Sequence, residues 1–509
     1  MALLGIDVGT GGCKVVAFRE NGEVLALAFR EYPFITPRPG WLEIDPRCIV
    51  QAVREALQEV VSRTPVSIDA LAVTSHGETL VPLGQDGTPL AMAIANFDTR
   101  ANRYVKLFRE RFDPMVLFAM TGMPLHGMYT VNKILWFRDH KPQIFEKTWK
   151  FSCVADFITS YLTGEEPVMD YSLASRTMML DVRKKTWAKE ILEAVHLEEE
   201  RLPKLLPAGS FVGYLRGDLA CELGLQGKVP VAIGGHDQPC GVLGCGVRRH
   251  GEAMYSIGTS ECVALHIGPE PLLGQGMMEH GFCASPHVGE NAYLTLAYIA
   301  SGGSVVRWFR DVLALDIKAR TSDPYRELFA HLPQHPVSVF VLPHFAGSGT
   351  PYLDEHSRGA IVGLTLAASR FDILRGILES LTYEMRLNLD LLASFGLPVF
   401  DLRVIGGGAR SPEWLRIKAD ILGKPLFLPE VEEAVALGTA ILAGKMRGVF
   451  ADTREGIEAM VRFRGEVRPS PQHAVYERYY EVYRKLYNGL REINVLISRL
   501  EGKEEDDEE

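Results

Sequence analysis

The chain has 509 residues, of which 47% are hydrophobic and 23% are charged, and its formal net charge is −10. A chain of this length exceeds one hydrophobic core, so we expect two large domains. The composition is that of a soluble globular protein. Because the sequence has neither an apolar run of membrane-spanning length nor a basic stripe, we expect no membrane and no nucleic-acid partner.

The ends of the chain and its cysteines predict a cytoplasmic protein. The first residues enter a predicted strand directly, without a basic leader followed by an apolar segment. The eight cysteines are scattered without C-x-x-C pairs, which favours reduced thiols over zinc or disulfides. The acidic tail, 496–509, is expected to be disordered.

The N-terminal stretch 3–29 predicts a β-hairpin whose Gly-rich turn could bind an anion. An apolar run reaches Asp7, turns through residues 9–12 (GTGG) and leaves as a second apolar run. Glycines let backbone N–H groups approach a phosphate, and Thr10 and Lys14 add a hydroxyl and a charge. An acid in such a loop indicates a bound cation. An ordinary Gly-turn hairpin with a solvated Asp7 explains this stretch alone equally well.

Polar residues follow three further predicted segments. The predicted strand 68–74 ends in 75–78 (SHGE), the cluster 96–100 (NFDTR) precedes a mostly helical region, and the strand 229–233 breaks at 234–238 (GGHDQ). Side chains beyond the carboxyl ends of buried strands are where α/β folds place ligands. Residues 103–220 are predicted to form a helical cap over the first sheet.

The order of elements then restarts, which suggests an internal duplication. Residues 253–266 repeat the strand, Gly-Thr turn and strand of the N-terminus, with Gly258-Thr259 in the turn. A helical run, 373–392, precedes a strand that ends in 406–409 (GGGA). The similarity is one of plan and not of residue identity. Two related domains would then hold a ligand between them.

These motifs together resemble the FGGY carbohydrate kinases of the actin-like ATPase superfamily over nearly the full chain. Residues 128–139 (MYTVNKILWFRD) are similar to the first family signature, and residues 358–364 (RGAIVGL), with Arg375, Glu379 and Arg386, to the second. The resemblance implies an α/β fold of two actin-like (ribonuclease H-like) domains, each a mixed five-stranded sheet flanked by helices, with a cleft between them. The N-terminal domain would span 1–245 and the C-terminal, nucleotide-binding domain 246–495.

The resemblance also implies an ATP-dependent kinase with Mg²⁺ as cofactor. Asp7 would hold the metal, and Asp237 would be the general base that takes the proton of the attacking hydroxyl. A helix N-cap is the structural alternative for Asp237. The residues implied at the phosphates and the nucleotide are Thr10, Gly11, Lys14, Gly258, Thr259, Gly303, Gly407, Gly408 and Ala409.

The acceptor implied by the resemblance is a small sugar or polyol, phosphorylated on a terminal hydroxyl. Gly77 stands where glycerol kinases place an arginine and Asn96 where they place a tryptophan, which predicts a wider pocket and an acceptor of four to six carbons, a ketose or a polyol. Glycerol kinase-like and xylulokinase-like specificities remain alternatives. The residues expected to bind the acceptor are His76, Glu78, Asn96, Asp98, Arg100, His236 and Gln238.

Other interpretations remain open at this stage. His76 and His236 lack the spacing of a local metal site, and His236 is as consistent with a structural role as with orienting the base. A regulator that binds sugar without catalysis would be expected to have lost Asp7 or Asp237, yet both are present. The oligomeric state is open, with a homodimer as the assembly to test.

Overall fold

A computed structural model describes residues 1–289 and 291–500. Its first sheet contains six strands in the order β5-β6-β4-β1-β2-β3. Strands β1, β2 and β3 are antiparallel, whereas β4 is parallel to β1 and β6 to β4. The strands are Ala2–Gly9 (β1), Gly12–Phe18 (β2), Val24–Glu31 (β3), Ile68–Ser75 (β4), Phe211–Tyr214 (β5) and Pro230–His236 (β6).

The second sheet contains seven strands in the order β9-β10-β8-β7-β11-β12-β13. Here β7, β8 and β10 are antiparallel, and β11 and β12 are parallel to β7. The strands are Glu252–Ile257 (β7), Glu261–Gly268 (β8), Ser285–Pro286 (β9), Tyr293–Ile299 (β10), Asp401–Ile405 (β11), Leu426–Pro429 (β12) and Phe463–Val467 (β13).

The two sheets share one plan, as the repeated order of sequence motifs predicted. The orders β3-β2-β1-β4-β6 and β10-β8-β7-β11-β12 are equivalent, and each contains one hairpin, a third antiparallel strand and two parallel strands. The expected five-stranded sheet is therefore the centre of each domain. The prediction missed the added antiparallel edge strands, β5 in the first sheet and β9 and β13 in the second.

Helices flank both sheets. Helix Pro46–Arg63 shows the local signals well: the Asp45 carboxylate accepts a hydrogen bond from the Arg47 N–H, and Pro46 occupies the first turn. The α-helices of the described residues are Pro46–Arg63, Val105–Arg111, Pro114–Thr121, Thr130–His140, Pro142–Lys147, Val154–Thr163, Tyr171–Ser175, Lys189–Val195, Gly217–Glu222, Asp237–Gly244, Gln275–Glu279, Gly303–Val312, Leu315–Arg320, Pro324–Ala330, Arg370–Ser394, Pro412–Leu422, Ala434–Arg447, Thr453–Met460, His473–Tyr483 and Leu486–Leu500.

The region 103–220 is not purely helical, because short strands alternate with its helices. Some of these strands pair with segments outside the region, which ties it to the loops that follow the first sheet. The short pairs in the whole chain are Glu43–Ile44 with Ala93–Ile94, Val81–Leu83 with Lys150–Ser152, Val168–Asp170 with Lys204–Leu206, Leu180–Asp181 with Thr186–Trp187, and Phe340–Leu342 with Ala360–Val362.

Helix Ala434–Arg447 connects the second half of the chain to the first sheet. Although it lies far along the chain, it packs on the first sheet in one apolar cluster with Leu3, Val16 and Phe18. A Cβ on Gly5 would lie 2.0 Å from the carbonyl oxygen of Ala436, so β1 and this helix touch backbone to backbone. The segment 246–495 therefore contributes one helix to the covering of the first sheet.

The tail prediction is wrong for its first residues. Helix Leu486–Leu500 includes residues 496–500, and Ser498 is buried, where its hydroxyl lies 2.8 Å from Nδ1 of His356. Residues 501–509 lie outside the described part of the chain. Among the described residues all eight cysteines are free thiols, and none of the helices has the length and apolar character needed to cross a membrane.

Candidate active site

The first Gly-Thr turn joins β1 to β2, as predicted. Asp7 lies opposite Lys14 in the hairpin register, and the Gly9 carbonyl accepts a hydrogen bond from the Tyr32 hydroxyl. A Cβ on Gly11 would meet no atom of the described residues within 4 Å apart from its chain neighbours, so the tip is open. Lys14 is already engaged, because its ammonium donates to Glu433 at the start of helix Ala434–Arg447.

Asp7 has the properties expected of a metal-binding carboxylate. Its Oδ1 is buried and has no hydrogen-bond partner among the described residues. Burial raises the pKa of Asp7 to about 6, with Lys14 opposing this and Glu433 adding to it. A buried carboxylate oxygen without a partner is costly unless a cation or donor binds it. The residue therefore fits Mg²⁺ beside the phosphate turn.

The second Gly-Thr turn, between β7 and β8, lies against the start of helix Gly303–Val312. The Gly303 N–H donates to the Gly258 carbonyl at 2.8 Å, and the Gly302 N–H to the Thr259 carbonyl at 2.9 Å. The positive end of the helix dipole thus lies beside the turn, which favours an anion there. Ser256 takes the position equivalent to Asp7, so only the first hairpin carries the acid.

The glycine loop after β11 is fixed against the second turn. Gly406 has φ of +90°, and a Cβ there would lie 2.6 Å from the Ile257 carbonyl oxygen. A Cβ on Gly408 would lie 2.2 Å from Cγ2 of Ile257, whereas one on Gly407 would meet open space. The structure thus brings the predicted nucleotide residues Gly258, Thr259, Gly303, Gly407, Gly408 and Ala409 together in the second domain.

Asp237 lies where β6 gives way to helix Asp237–Gly244. It is the first helical residue and not the N-cap, a position taken by His236. Nε2 of His236 lies 3.1 Å from Oδ1 of Asp237. Burial, and then the charge of Asp7, raises the pKa of Asp237 to about 8. Burial also lowers the pKa of His236 well below its ordinary value, so the imidazole is neutral.

Gln238, which follows Asp237, has an amide oxygen that is not satisfied by the described residues. Its Oε1 is buried and has no hydrogen-bond partner among the described residues. Such an oxygen accepts a hydrogen bond readily, because leaving it unpaired costs about 1–3 kcal/mol. A hydroxyl of a bound acceptor is a suitable donor.

His76 and the 96–100 cluster form closed structural contacts. Nδ1 of His76 lies 3.0 Å from the Val8 carbonyl and Nε2 lies 2.7 Å from Oγ1 of Thr79, so both ring nitrogens are used. Asp98 and Arg100 form a bidentate ion pair whose side chains are 0% and 1% exposed. The Asn96 Oδ1 accepts from the Phe97 N–H. These residues shape the loops beside the pocket.

Glu78 adopts a left-handed conformation, with φ of +61°, which the first signature stabilises. The Glu78 carbonyl accepts hydrogen bonds from the Lys133 ammonium at 2.9 Å and from the Thr130 hydroxyl at 3.2 Å. Burial lowers the pKa of Lys133 to about 8. The role of signature residues 128–139 includes fixing the backbone that presents Glu78.

Arg176 is a partner of Glu78 that the sequence analysis missed. Its guanidinium pairs with the Glu78 carboxylate. A Cβ on Gly77 would lie 3.1 Å from Cγ and 3.2 Å from Cβ of Arg176. The expectation that Gly77 leaves open space is therefore wrong, since the Arg176 stem fills it. Arg176 follows the short helix Tyr171–Ser175, and no local pattern marks it as a site residue.

The second signature is structural in the described residues. Arg375 pairs with Glu379 at 2.7 Å and donates to the Tyr476 hydroxyl at 2.8 Å, while Arg386 pairs with Glu477. These contacts join helices Arg370–Ser394 and His473–Tyr483. Trp136 in the first signature lies edge-on to Trp41, and Trp308 lies edge-on to Phe345, so both rings make packing contacts.

Comparison with known proteins decides the family. Residues 2–244 match the N-terminal domain of the FGGY family of carbohydrate kinases, and residues 253–447 match its C-terminal domain. The chain belongs to the FGGY family. This kinase is 29% identical to a xylulose kinase of Bacillus subtilis (strain 168), over 97% of the chain and 98% of that protein.

Two further relatives span nearly the whole FGGY kinase. A glycerol kinase of Thermococcus onnurineus (strain NA1) is 30% identical, over 96% of each chain. The crystal structure of a xyloylose kinase from Brucella ovis superposes with a TM-score of 0.87 at 27% identity, covering 97% of this chain and 100% of that one. The two-domain α/β fold is therefore that of the sugar kinases, and the chain is an ATP-dependent carbohydrate kinase.

Proposed function

We propose that this kinase transfers the γ-phosphoryl group of ATP to a terminal hydroxyl of a ketose or polyol of four to six carbons. One observation carries the proposal: the Asp237 carboxyl has a pKa raised to about 8, and the neighbouring residue Gln238 has a buried Oε1 without a hydrogen-bond partner among the described residues. A base near neutral pKa and an unused acceptor fit a hydroxyl that must be oriented and deprotonated. The xylulose and glycerol kinase relatives support this class of acceptor.

The mechanism assigns a role to each turn. Asp237 takes the hydroxyl proton as the acceptor oxygen bonds to the γ-phosphorus, and the bond from that phosphorus to the ADP oxygen breaks. The turns at Thr10 and Thr259 hold the phosphates with their N–H groups. Asp7 would hold Mg²⁺, which would supply positive charge to neutralise the phosphates.

Acceptor contacts are proposed for Glu78, His236 and Gln238. The closed contacts of His76, Asn96, Asp98 and Arg100 give those residues a supporting role in shaping the loops. Lys14 would have to leave Glu433 to contact a phosphate, so we propose that nucleotide binding breaks this ion pair. A homodimer and a cytoplasmic location remain predictions from the sequence.

A coupled assay of ADP release tests the proposal. Wild-type enzyme with MgATP is compared on glycerol, erythritol, ketopentoses and ketohexoses, and we expect turnover with at least one acceptor of four to six carbons. Asp237→Asn should lower kcat by at least about 100-fold while ADP affinity stays within a few-fold. Asp69→Asn on β4, outside the site, is the matched control.

Three outcomes would contradict the proposal or part of it. If glycerol is the best acceptor, the protein is a glycerol kinase that binds its substrate through different residues. No turnover with any acceptor, together with sugar binding detected by calorimetry, would favour a non-catalytic regulator. Near-normal turnover of Asp237→Asn would remove this residue from the mechanism.

A further inference from the structure

We propose that Arg176 binds the acceptor and sets its length, with Nη1 donating to a hydroxyl remote from the reacting one. The inference rests on the proposed function, because it assigns a recognition element to the same pocket. It goes beyond that function, since Arg176 is not among the residues that the sequence or the proposed mechanism places at the acceptor.

The guanidinium is held on one side only. Nε and Nη2 of Arg176 pair with Oε1 of Glu78. Nη1 contacts only the thioether sulfur of Met123, at 3.5 Å, among the hydrogen bonds of the described residues. Arg176 as a whole is 8% exposed. A buried, charged N–H group with a weak sulfur acceptor has unused capacity to donate to an oxygen.

Arg176 lies next to the catalytic base. Its charge lowers the pKa of both Asp237 and His236, although burial dominates each shift. A Cβ on Gly77 would lie within 3.3 Å of both the Arg176 stem and Cδ2 of His236, so these two side chains border one small volume. The guanidinium carbon also lies 5.4 Å from the centre of the Tyr129 ring. Arg176 therefore borders the same space as His236, which in turn contacts Asp237.

The absence of a side chain at Gly77 leaves room for Arg176. The Cγ and Cβ of Arg176 would be 3.1 and 3.2 Å from any Cβ at position 77, closer than ordinary van der Waals contact. A side chain at 77 and the observed placement of Arg176 thus compete for the same space. The glycine serves the approach of Arg176 and does not by itself widen the pocket.

The charge balance predicts a neutral acceptor. Glu78 already compensates Arg176, and the remaining carboxylates nearby are Asp7 and Asp237. The pair offers one acceptor and one donor side by side, which suits two neighbouring hydroxyls of a polyol or ketose. A carboxylate on the acceptor, as in an aldonate, would bring a further negative charge beside the Asp7 and Asp237 carboxyl groups.

The test separates contact with the acceptor from structural support. Arg176→Met, Arg176→Lys and Gly77→Ala are compared with wild type on glycerol, erythritol, a ketopentose, a ketohexose and an aldonate. If Arg176 contacts a remote hydroxyl, Arg176→Met should lower kcat/KM about 10–100-fold for the longer neutral acceptors. Glycerol, which does not reach Arg176, should lose much less.

The other two variants and the aldonate give further tests of the contact between Arg176 and the acceptor. Arg176→Lys should recover part of the loss, and Gly77→Ala should reproduce the loss for longer acceptors with the arginine still present. Thermal unfolding and ADP affinity of each variant report whether the fold and the nucleotide site are intact. The aldonate should be a poor acceptor for wild type.

Different failures have different meanings. Equal loss of kcat/KM for all acceptors, glycerol included, would show that Arg176 only supports Glu78 and would overturn the inference. If Arg176→Met does not fold, the same comparison of kcat/KM between glycerol and the longer acceptors is made with the milder variant Gly77→Ala. If wild-type enzyme turns over none of the acceptors, the proposed function itself is overturned. The contact between Arg176 and the acceptor is then tested by binding, by comparing the acceptor-induced rise in Tm of wild type with that of Gly77→Ala.

Discussion

Nε2 of His236 lies 3.1 Å from Oδ1 of Asp237, and the two groups titrate in opposite directions from their ordinary values. Burial keeps the imidazole neutral and keeps the carboxyl protonated to higher pH. A neutral imidazole beside the base can orient it without compensating its charge. The Asp237 carboxylate is therefore a strong base for its type, and the group is largely protonated at neutral pH.

The pH dependence of catalysis should report this shift. Because Asp237 accepts a proton only when ionised, kcat/KM should fall about tenfold per pH unit below its pKa of about 8. Measurement of kcat/KM for the acceptor from about pH 6 to about pH 9 checks this, with the coupling enzymes in excess at each pH. A flat profile across that range would contradict the assignment.

The same shifts predict the stability of the ligand-free enzyme. The folded pKa values of Asp7 and Asp237, about 6 and about 8, exceed the ordinary value of 3.8. Their contribution to stability is fully present below the unfolded pKa and is lost as pH rises through the folded values. Asp237→Asn should raise Tm by about 3–8 °C at about pH 9 and hardly at all at about pH 4.

Calorimetry of the ligand-free protein at both pH values measures this difference. Asp69→Asn should follow wild type at each pH and serves as the control. An Asp237→Asn variant that is less stable than wild type at high pH would mean that the carboxylate is favourably solvated in the folded state.

Asp7→Asn tests the metal site. Removing the carboxylate should raise the Mg²⁺ concentration needed for half-maximal rate by about 10–100-fold, because amide oxygen is a weaker ligand for a hard cation. Since the charge of Asp7 raises the pKa of Asp237, the acidic limb of kcat/KM should also move to lower pH. Glu31→Gln, on the exposed end of β3, is the control. If neither the Mg²⁺ requirement nor the pH at which kcat/KM falls is changed, Asp7 is excluded as a metal ligand.

Two glycine substitutions test the close contact between helix Ala434–Arg447 and helix Asp237–Gly244. A Cβ on Gly438 would lie 1.9 Å from the Cys240 carbonyl oxygen, because helix Ala434–Arg447 touches helix Asp237–Gly244 backbone to backbone. Gly438→Ala should therefore cost more than about 2 kcal/mol of unfolding free energy. Gly489 is also helical but has open space, so Gly489→Ala should add about 0.5–1 kcal/mol.

Chemical denaturation of the two variants beside wild type gives the comparison. Equal stability of both variants would show that the helices separate at little cost and that the close crossing is not a structural constraint.

Local patterns predicted much of the fold, because the hairpins, the strand ends and the long helices are encoded by adjacent residues. Both Gly-Thr turns and the helix after Asp45 are of this kind. Contacts between distant segments were not predictable in this way. Lys14 pairs with Glu433, which is 419 positions away in the sequence, and Arg176 pairs with Glu78, which is 98 positions away. The isolated motif Asn96 to Arg100 suggested ligand binding, yet its charges satisfy one another.

The late return of helix Ala434–Arg447 to the first sheet has a consequence for biosynthesis. During translation, the face of the sheet that carries Leu3, Val16 and Phe18 stays uncovered until residues 434–461 leave the ribosome. A nascent chain that has already made β1 to β6 thus exposes an apolar surface while some two hundred further residues are added. Truncation after residue 433 should yield an aggregation-prone fragment, and chaperone demand should be greatest during that interval.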